Sequence, residues 1–470
     1  MARSILIRMK EICYIRVLAF ILLCSTATFS QATNEKGWKA GVASVIITPE
    51  EPMWMAGYGG RTRPSEGTLS DLWAKVLAFE DVEGHKSVLI TLDLSGIPKT
   101  VSDRMRNNLK SRYGLSRDQI IINTSHTHSG PVLTDALHHI YPLDSIQLDK
   151  INRYTLGFEK KVLNLVGEAL ESMKPVTLYS GNGVVRFQVN RRNNNEGTLH
   201  AQTELNGPND YAVPVLKVVD YSDQIIAIAF GYACHNTVLG GYQWSGDYSG
   251  YAQTELENRF PGATALFFQG CGGNQNPLPR RTVELAKQYG YELAAAVEGM
   301  LHGNLKELTP HLKTSYSEIN LKLNELPARN DLVKFEKESS GHYKAWAAMM
   351  IDKMDRNETI RTTYPYPIQV WQMGNQMIVA LGGEPVIEYA TELKMIFGKD
   401  IFVLGYSNDV MAYIPNTKIL SEGGYEGATS QMAFGLPSTW SFSIESDIIN
   451  ETIRLARTIN IEPLNHGLIK

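Results

Sequence analysis

The chain has 470 residues, of which 43% are hydrophobic and 20% are charged, so it can bury a large core and does not have the composition of a disordered protein. Its formal net charge is -4 and its Lys and Arg residues form no block, which excludes a nucleic-acid partner held through many phosphate contacts. The composition leaves the classes of globular enzyme and binding protein.

The first thirty residues have the pattern of a secretory signal peptide. Basic residues precede the apolar segment 17–24, and small residues follow it up to Ser30. This segment is shorter than the ~20 residues that span a bilayer, and no other segment reaches that length. We therefore predict a signal peptide over residues 1–30, a domain over 31–470 without a transmembrane segment, and a secreted or periplasmic location. A lipoprotein anchor at Cys24 is disfavoured because Leu23 stands where a small residue is usual.

Cleavage near Ser30 would leave two of the four cysteines, Cys234 and Cys271, in the mature chain. Two cysteines do not indicate a disulfide framework. In an oxidising compartment they could form one bridge near the site described below, and the alternative is a pair of small buried thiols.

One arrangement of predicted elements occurs three times along the chain. Two strands joined by a short polar turn are followed by a polar or glycine-rich segment, a helix and a further apolar strand. The strand pairs are predicted at residues 73–80 and 87–93, 213–219 and 225–230, and 367–372 and 376–381, the helices at 101–112, 251–260 and 385–397, and the closing strands at 119–122, 263–268 and 400–404. Strand, helix and strand in this order form a parallel crossover. We therefore predict an α/β fold with mixed β-sheets built from hairpin plus β-α-β units and flanking helices.

Less regular regions separate these units. Residues 134–149 and 184–209 are predicted as loops over the sheet edge, and 305–364 as a strand, 315–323, followed by a helical stretch, 330–355, in a packing appendage or a lid. A final amphipathic helix is predicted at 444–458.

Chemically reactive side chains follow nearly every strand of the three units. They are Asp93, His126 and His128, Cys234 and His235, the segment GCGGNQNP at 270–277, Glu384 in GGEP, and the segment YSNDVMAY at 406–413. The carboxyl ends of parallel strands share one sheet edge, and ligands bind at that edge. We therefore predict a single polar site at the carboxyl ends of the strands.

The segment NTSHTHSGP at 123–131 carries the strongest signal for a metal. Two histidines two residues apart on a strand that continues 119–122 would point to the same side, as a transition-metal site requires. The alternative for this motif alone is a Ser/Thr/Gly turn in which both imidazoles hydrogen-bond to backbone carbonyls.

Several motifs in order resemble one enzyme family. They are GVASVIITPE and GYGGR near the start, NTSHTHSGP, the pair Asn190 and Arg191, ACH at 233–235, GGEP at 382–385, AYIP at 412–415 and GGYEG at 423–427. Together they are similar to the neutral, non-lysosomal ceramidases, zinc amidases that cleave the N-acyl bond of sphingolipids. The similarity covers nearly the whole mature chain from about Lys39, and the C-terminal immunoglobulin-like domain of the larger members has no counterpart here.

The resemblance implies a set of site residues. The implied ligands of Zn²⁺ are His126, His235, Glu384 and Tyr413. The implied catalytic or substrate-contacting residues are His128, Tyr425, Arg191, with Arg192 as the alternative one position away, and Asn276. In the family a serine once assigned as the nucleophile stands at the position of Asn276, so a mechanism that depends on this serine is not available to this chain.

We therefore expect a secreted zinc-dependent amidohydrolase of the N-acylsphingosine amidohydrolase type, which acts on a small-molecule or lipid N-acyl substrate through a metal-bound water. His128 would move the proton to the leaving group, Tyr425 and Arg191 would stabilise the oxyanion, and Asn276 could donate a hydrogen bond. Asp93 and Asp247 would either orient a ligand histidine or cap backbone N–H groups.

Two other functions are compatible with the sequence. The first is a metal-dependent hydrolase of acylated or glycosidic carbohydrate substrates, suggested by the Asn- and Arg-rich loops and the missing domain. The second is a catalytically silent, metal-bearing binding protein that lost turnover together with the serine.

Overall fold

The computed structural model describes residues 37–137 and 139–464, and the predicted signal peptide lies outside these residues. The helices are α1 (Lys99–Tyr113), α2 (Ser145–Glu171), α3 (Asp247–Arg259), α4 (Val283–Leu301), α5 (Arg329–Glu338), α6 (Gly341–Asp355), α7 (Ile387–Phe397), α8 (Thr417–Glu422), α9 (Ser430–Ala433) and α10 (Ile444–Thr458). Short 3-10 turns occur at Arg117–Gln119 and Glu196–Ala201, and a π turn at Tyr425–Thr429.

Most strands belong to two sheets. The strands are β1 (Trp38–Ile46), β2 (Gly67–Thr68), β3 (Trp73–Glu80), β4 (Lys86–Leu92), β5 (Ile120–Thr124), β6 (Lys174–Val184), β7 (Gln188–Asn190), β8 (Ala212–Asp220), β9 (Ile225–Tyr232), β10 (Gln243–Trp244), β11 (Thr264–Gln269), β12 (Gln275–Pro277), β13 (Lys306–Glu307), β14 (Leu312–Lys322), β15 (Thr363–Met373), β16 (Gln376–Leu381), β17 (Glu384–Pro385), β18 (Phe402–Leu404) and β19 (Tyr413–Ile414). The nine-stranded sheet has the order β5-β4-β3-β1-β6-β8-β9-β11, with β13 also paired to β6, and the four-stranded sheet has the order β14-β15-β16-β18.

The three predicted units are confirmed, and they share one topology. In each, an antiparallel hairpin is followed by a helix and by a strand parallel to the second hairpin strand: β3-β4-α1-β5, β8-β9-α3-β11 and β15-β16-α7-β18. The first two units lie at opposite ends of the large sheet, and the third forms most of the small sheet. Each parallel pair directs its carboxyl ends to one edge, as the sequence predicts.

Alternate residues of the central strands pack into different cores, so the fold has four layers. Val88 and Ile90 of β4 pack with residues of α1 and α2, whereas Leu89 packs with residues of the small sheet such as Trp371. The other face of the small sheet, including Val379, packs against α7 and α10. Because β4, β9 and β16 are covered on both faces, their residues are apolar almost throughout rather than alternating with polar ones.

Several elements differ from the predicted ones. Helix α2 begins inside the predicted loop 134–149 and is 27 residues long. Strands β1 and β6 join the two end units at the centre of the large sheet. The predicted helical stretch 330–355 is divided into α5 and α6, because Ser339 and Ser340 have extended backbones and Gly341, with a φ of 57°, begins the second helix. Among the described residues, no helix has both the length and the apolar composition needed to cross a bilayer.

Candidate metal centre

A buried asparagine joins the three units where their strands end. Asn123 of β5 is fully buried, and its Oδ1 accepts a hydrogen bond from the backbone N of Gln269 at the end of β11. Its Nδ2 donates to the carbonyl oxygens of Gln269 and Gly405 and to Oγ of Ser407, which follow β11 and β18. These bonds bring the carboxyl ends of β5, β11 and β18 together, although they come from two sheets.

The two histidines of HTHSGP follow β5 in a turn. The strand ends at Thr124, and His126 has a φ of 59°, in the left-handed region that non-glycine residues rarely adopt. The backbone N of His126 donates to the carbonyl of Leu94, and that of His128 donates to the carbonyl of Asn236. The two imidazoles therefore meet through a strained turn fixed by neighbouring segments, and the strand alternation used to predict their proximity is not the cause.

Five side chains from three units converge at this point. Nε2 of His126 lies 3.1 Å from Nε2 of His128 and 3.1 Å from Oε2 of Glu384. Nε2 of His235 lies 3.3 Å from the same carboxylate oxygen and 3.1 Å from the hydroxyl of Tyr413. His126, His128 and His235 each offer a ring nitrogen within 4.8 Å of the others, so this buried group can hold a metal ion.

The outer ring nitrogens of two histidines are held by backbone carbonyls. Nδ1 of His126 donates to the carbonyl of Ser95, and Nδ1 of His235 donates to the carbonyls of Gly272, at 2.7 Å, and Gln275, at 3.1 Å. Because a carbonyl only accepts, these contacts place the proton on Nδ1 and leave the lone pair of Nε2 directed inward. This tautomer is the one that binds a metal through Nε2.

Burial and neighbouring charges set the protonation of the group. Burial, with the charge of Arg191 added, lowers the pKa of His235 to about 4. Burial and the two other histidines hold the pKa of His128 well below its usual value. Burial alone would raise the pKa of Glu384, but the adjacent His126 and His235 hold it well below the usual value. Imidazole nitrogens beside a carboxylate form a donor set that suits Zn²⁺.

Arg191 lies beside Tyr413 because two short strands pair. Strand β7 runs antiparallel to β12, which places Arg191 next to Asn276. The guanidinium donates from Nη2 to the hydroxyl of Tyr413 at 3.2 Å, from Nη1 to Oδ1 of Asn276 at 3.3 Å and from Nε to Oε1 of Glu426 at 2.7 Å. The structure therefore brings the positively charged group to the rim of the metal centre.

Tyr425 forms the rim of the same site. Its ring centroid lies 5.3 Å from that of Tyr413 and 5.7 Å from the Arg191 guanidinium carbon, and 46% of the residue is exposed. The alternative residue Arg192 instead pairs with Glu422 and Glu426. Of the two candidate arginines, Arg191 is the one that contacts Tyr413.

The two candidate carboxylates Asp93 and Asp247 do not contact the histidines. Asp93 accepts a hydrogen bond from the backbone N of Trp73, and Asp247 accepts from the backbone N–H groups of Leu239 and Tyr248. Both carboxylates therefore cap backbone N–H groups, which is the second of the two roles considered for them. The groups that orient His126 and His235 by accepting their hydrogen bonds are backbone carbonyls. The residue types in the sequence do not show which carbonyls take this role.

The two cysteines are a pair of small buried thiols, the second of the two alternatives considered for them. Cys234 and Cys271 are buried free thiols. Burial raises the pKa of both thiols, so they are protonated and unreactive.

Sequence reasoning did not assign roles to several residues that contact the site. The hydroxyl of Tyr406 donates to Oε2 of Glu384 at 3.3 Å. Arg61 of GYGGR donates to the carbonyl of His128 at 2.8 Å, and Glu426 of GGYEG pairs with Arg191. All three residues lie in sequence motifs named above. Their position within these motifs was the signal from which their contact with the site could have been predicted.

A cavity of about 560 Å³ adjoins the metal centre. His126, His128, Glu384, Tyr413 and Tyr425 form part of its wall. The rest of the wall combines apolar residues, among them Leu133, Leu137, Ile140, Met411, Phe434 and Leu436, with charged ones, among them Lys99, Asp103, Asp135 and Arg361. This cavity, called the apolar cavity below, can accept a hydrocarbon chain.

Comparison with known proteins agrees with this architecture. The family model described as neutral/alkaline non-lysosomal ceramidase, N-terminal, matches residues 38–318. A crystal structure of neutral ceramidase from Pseudomonas aeruginosa is similar with a TM-score of 0.71 at 17% sequence identity, over 91% of this chain and 75% of that one. A structure titled "Ceramidase complexed with C2" is similar with a TM-score of 0.70 at 16% identity, over 90% of this chain and 75% of that one. The chain belongs to the neutral/alkaline non-lysosomal ceramidase family.

Proposed function

We propose that this protein is a zinc-dependent hydrolase that cleaves the N-acyl bond of a lipid or small molecule. The observation that carries the proposal is the meeting of His126, His235, Glu384 and Tyr413 within hydrogen-bond distance beside the apolar cavity, whose wall includes three of them. Family membership supports the amidase reaction, and the donor set supports zinc.

The arrangement of the donors fits a divalent cation. Two Nε2 atoms with inward lone pairs would face the Glu384 oxygen across a fully buried space, where a cation offsets the repulsion between lone pairs and carboxylate. We assign His126, His235, Glu384 and Tyr413 as the residues that would hold it. Zinc in such a site activates water and polarises a carbonyl group.

His128 is assigned as the residue that moves the proton. It is neutral because burial lowers its pKa, and its Nε2 lies at the metal centre beside His126. In the reaction, the water oxygen bonds to the acyl carbon, the bond from this carbon to nitrogen breaks, and the water proton passes through His128 Nε2 to the departing nitrogen. Arg61 and Tyr58 fix the imidazole through its carbonyl and its ring face.

Arg191, Tyr425 and Asn276 are assigned to the negative charge that develops on the acyl oxygen. The guanidinium of Arg191 and the ring of Tyr425 both lie beside Tyr413, and both side chains carry hydrogen-bond donors. Burial raises the pKa of Tyr425 to about 12, so its hydroxyl carries a proton to donate at neutral pH. Asn276 has no hydroxyl group and cannot form an acyl-enzyme.

The finer assignments belong to the same proposal. We propose a role in sphingolipid metabolism with ceramide as the reference substrate, a mature domain over residues 31–470, and secretion through the N-terminal segment. These assignments are supported by family membership and by the sequence of residues 1–30.

The test combines metal analysis with assays on matched amides. We expect purified protein to contain about one zinc per chain, to hydrolyse N-octanoylsphingosine or simple N-octanoyl amides, to lose activity in a chelator and to regain it with zinc. His126→Ala and Glu384→Gln should lose both zinc and activity. Full activity in chelator would contradict the zinc mechanism, and zinc-loaded protein that hydrolyses no amide would identify a silent binding protein.

A further inference from the structure

A second cavity shares Tyr425 with the apolar cavity. It has a volume of about 890 Å³, and its wall includes Arg191, Asn193, Gln202, Asn276, Arg280 and Tyr425. We call this cavity the polar groove. The loop between β7 and β8, rich in Asn and Arg, forms most of it.

The polar groove adjoins the metal centre through three residues. Tyr425 lines both the groove and the apolar cavity. Arg191 lines the groove and donates to the hydroxyl of Tyr413, and Asn276 accepts from Arg191. A molecule cleaved at the metal centre can therefore place one part in the apolar cavity and the other in the groove.

The charges in the groove do not fit an anionic ligand. Each guanidinium of its wall is already paired with a carboxylate: Arg191 with Glu426, Arg192 with Glu426 and Glu422, and Arg280 with Glu196. Recognition of a phosphate or carboxylate requires cationic groups that can turn to the ligand. The groove therefore favours a neutral polar molecule.

Two polar atoms in the groove have no hydrogen-bond partner among the described residues. Oε1 of Gln202 is a buried acceptor without a donor. Oδ1 of Asn276 receives a bond from Arg191, whereas its Nδ2 group, which is not fully buried, donates to no other described residue and is open to a ligand. Unsatisfied buried polar atoms cost free energy unless a ligand or water completes them. One atom needs a donor and the other an acceptor, and hydroxyl groups supply both.

The wall of the groove does not fit a second hydrocarbon chain. Its apolar contribution comes from Leu278 and from the half-exposed ring of Tyr425. Placing an alkyl chain against amide and guanidinium groups would remove water from them without replacing its hydrogen bonds. A ring with hydroxyl groups can instead lie on Tyr425 and bond to Gln202 and Asn276.

We propose that the substrate of this protein is an N-acyl amine whose amine part is a neutral polyhydroxylated body of the amino-sugar class. The acyl chain lies in the apolar cavity and the hydroxylated part in the polar groove. This inference rests on the proposed N-acyl hydrolysis, keeps its acyl part, and replaces sphingosine, the amine of the reference substrate, by a more hydroxylated amine.

The experiment compares three amides with the same acyl group in the zinc-loaded protein. The substrates are N-octanoylglucosamine, N-octanoylhexylamine and N-octanoylsphingosine. We expect kcat/KM for the glucosamine amide to exceed that of the other two at least ~10-fold, the effect of about one hydrogen bond. Gln202→Leu should remove most of this preference by lowering kcat/KM for the glucosamine amide more than for the hexylamine amide. Gln288→Leu, on the exposed surface of α4, is the matched control.

The outcomes separate the two proposals. Hydrolysis of none of the amides would overturn the proposed function itself. Hydrolysis of the hexylamine or sphingosine amide with equal or higher kcat/KM would overturn the assignment of the groove alone, as would an equal loss on all three in Gln202→Leu. A second test measures competitive inhibition of the wild-type protein and requires no variant. Methyl glucoside should inhibit more strongly than glucose 6-phosphate or hexanol. The reverse order would contradict a neutral hydroxylated ligand.

Discussion

Oδ1 of Asn123 accepts a hydrogen bond from the backbone N of Gln269 at 2.7 Å, although 146 positions separate the two residues in the chain. The same side chain donates to Gly405, in a third part of the chain. One amide group thus holds together the ends of strands that carry the candidate ligands, and a buried group with all its bonds made is costly to remove.

We expect Asn123→Ala to lower the free energy of unfolding by about 3 kcal/mol, because the variant leaves buried carbonyl and N–H groups without partners. Urea unfolding measures the change. The control is Asn375→Ala, in the exposed turn between β15 and β16. Equal stability of the two variants would show that Asn123 does not hold the units together.

Tyr406→Phe should weaken zinc binding ~10- to 100-fold without abolishing the fold, since it removes the hydroxyl that donates to Glu384. Competition with a chelator of known affinity measures the change. Tyr389→Phe removes a buried hydroxyl that donates to the carbonyl of Pro415 and serves as the control. The role of Tyr406 is refuted when both variants bind zinc equally well.

Gly57→Ala should reduce kcat about 100-fold, because a misplaced proton-transfer group is costly. Gly57 has a φ of 102°, and a Cβ there would lie 2.4 Å from Cγ of His128. The control is Gly60→Ala, where an added Cβ meets no atom within 4 Å. Steady-state kinetics with zinc content measured in parallel tests this, and normal kcat in Gly57→Ala would remove His128 from the mechanism.

Asp409 should make stability depend on pH. Burial raises the pKa of Asp409 to about 7 from its ordinary value of 3.8, although a hydrogen bond from Tyr364 acts in the opposite direction. The folded state therefore holds the proton more tightly than the unfolded state, so the stabilising contribution is complete below pH 3.8 and is lost as the pH rises to about 7. The lost contribution is on the order of 4 kcal/mol.

Asp409→Asn keeps an acceptor for Tyr364 and removes the titrating group. We expect the variant to exceed the wild type in free energy of unfolding at pH 8 and to lose the decrease between pH 4 and pH 7. Urea unfolding at several pH values measures both. Parallel pH profiles for the two proteins would contradict the assignment to Asp409.

The sequence predicted the parts of this fold that local patterns determine. The three hairpin and crossover units were visible because apolar runs, turns and helices follow one another within short segments, and His126, His235 and Glu384 were found because they follow strands. The pairing of β1 with β6 was not predicted, since the choice between strand partners depends on contacts distant in sequence. The contact of Tyr406 with Glu384 depends on a left-handed backbone at Tyr406, which residue type does not indicate.

The four candidate ligands are spread from His126 near the first unit to Tyr413 after the third, and this distribution sets an order of events during synthesis. A nascent chain that has been synthesised only through β14 contains the candidate ligands His126 and His235 but neither Glu384 nor Tyr413. An ion held by these four residues could reach its final coordination only after nearly the entire polypeptide had been translated and the third unit had docked, so loading with the proposed metal would be a late step in maturation.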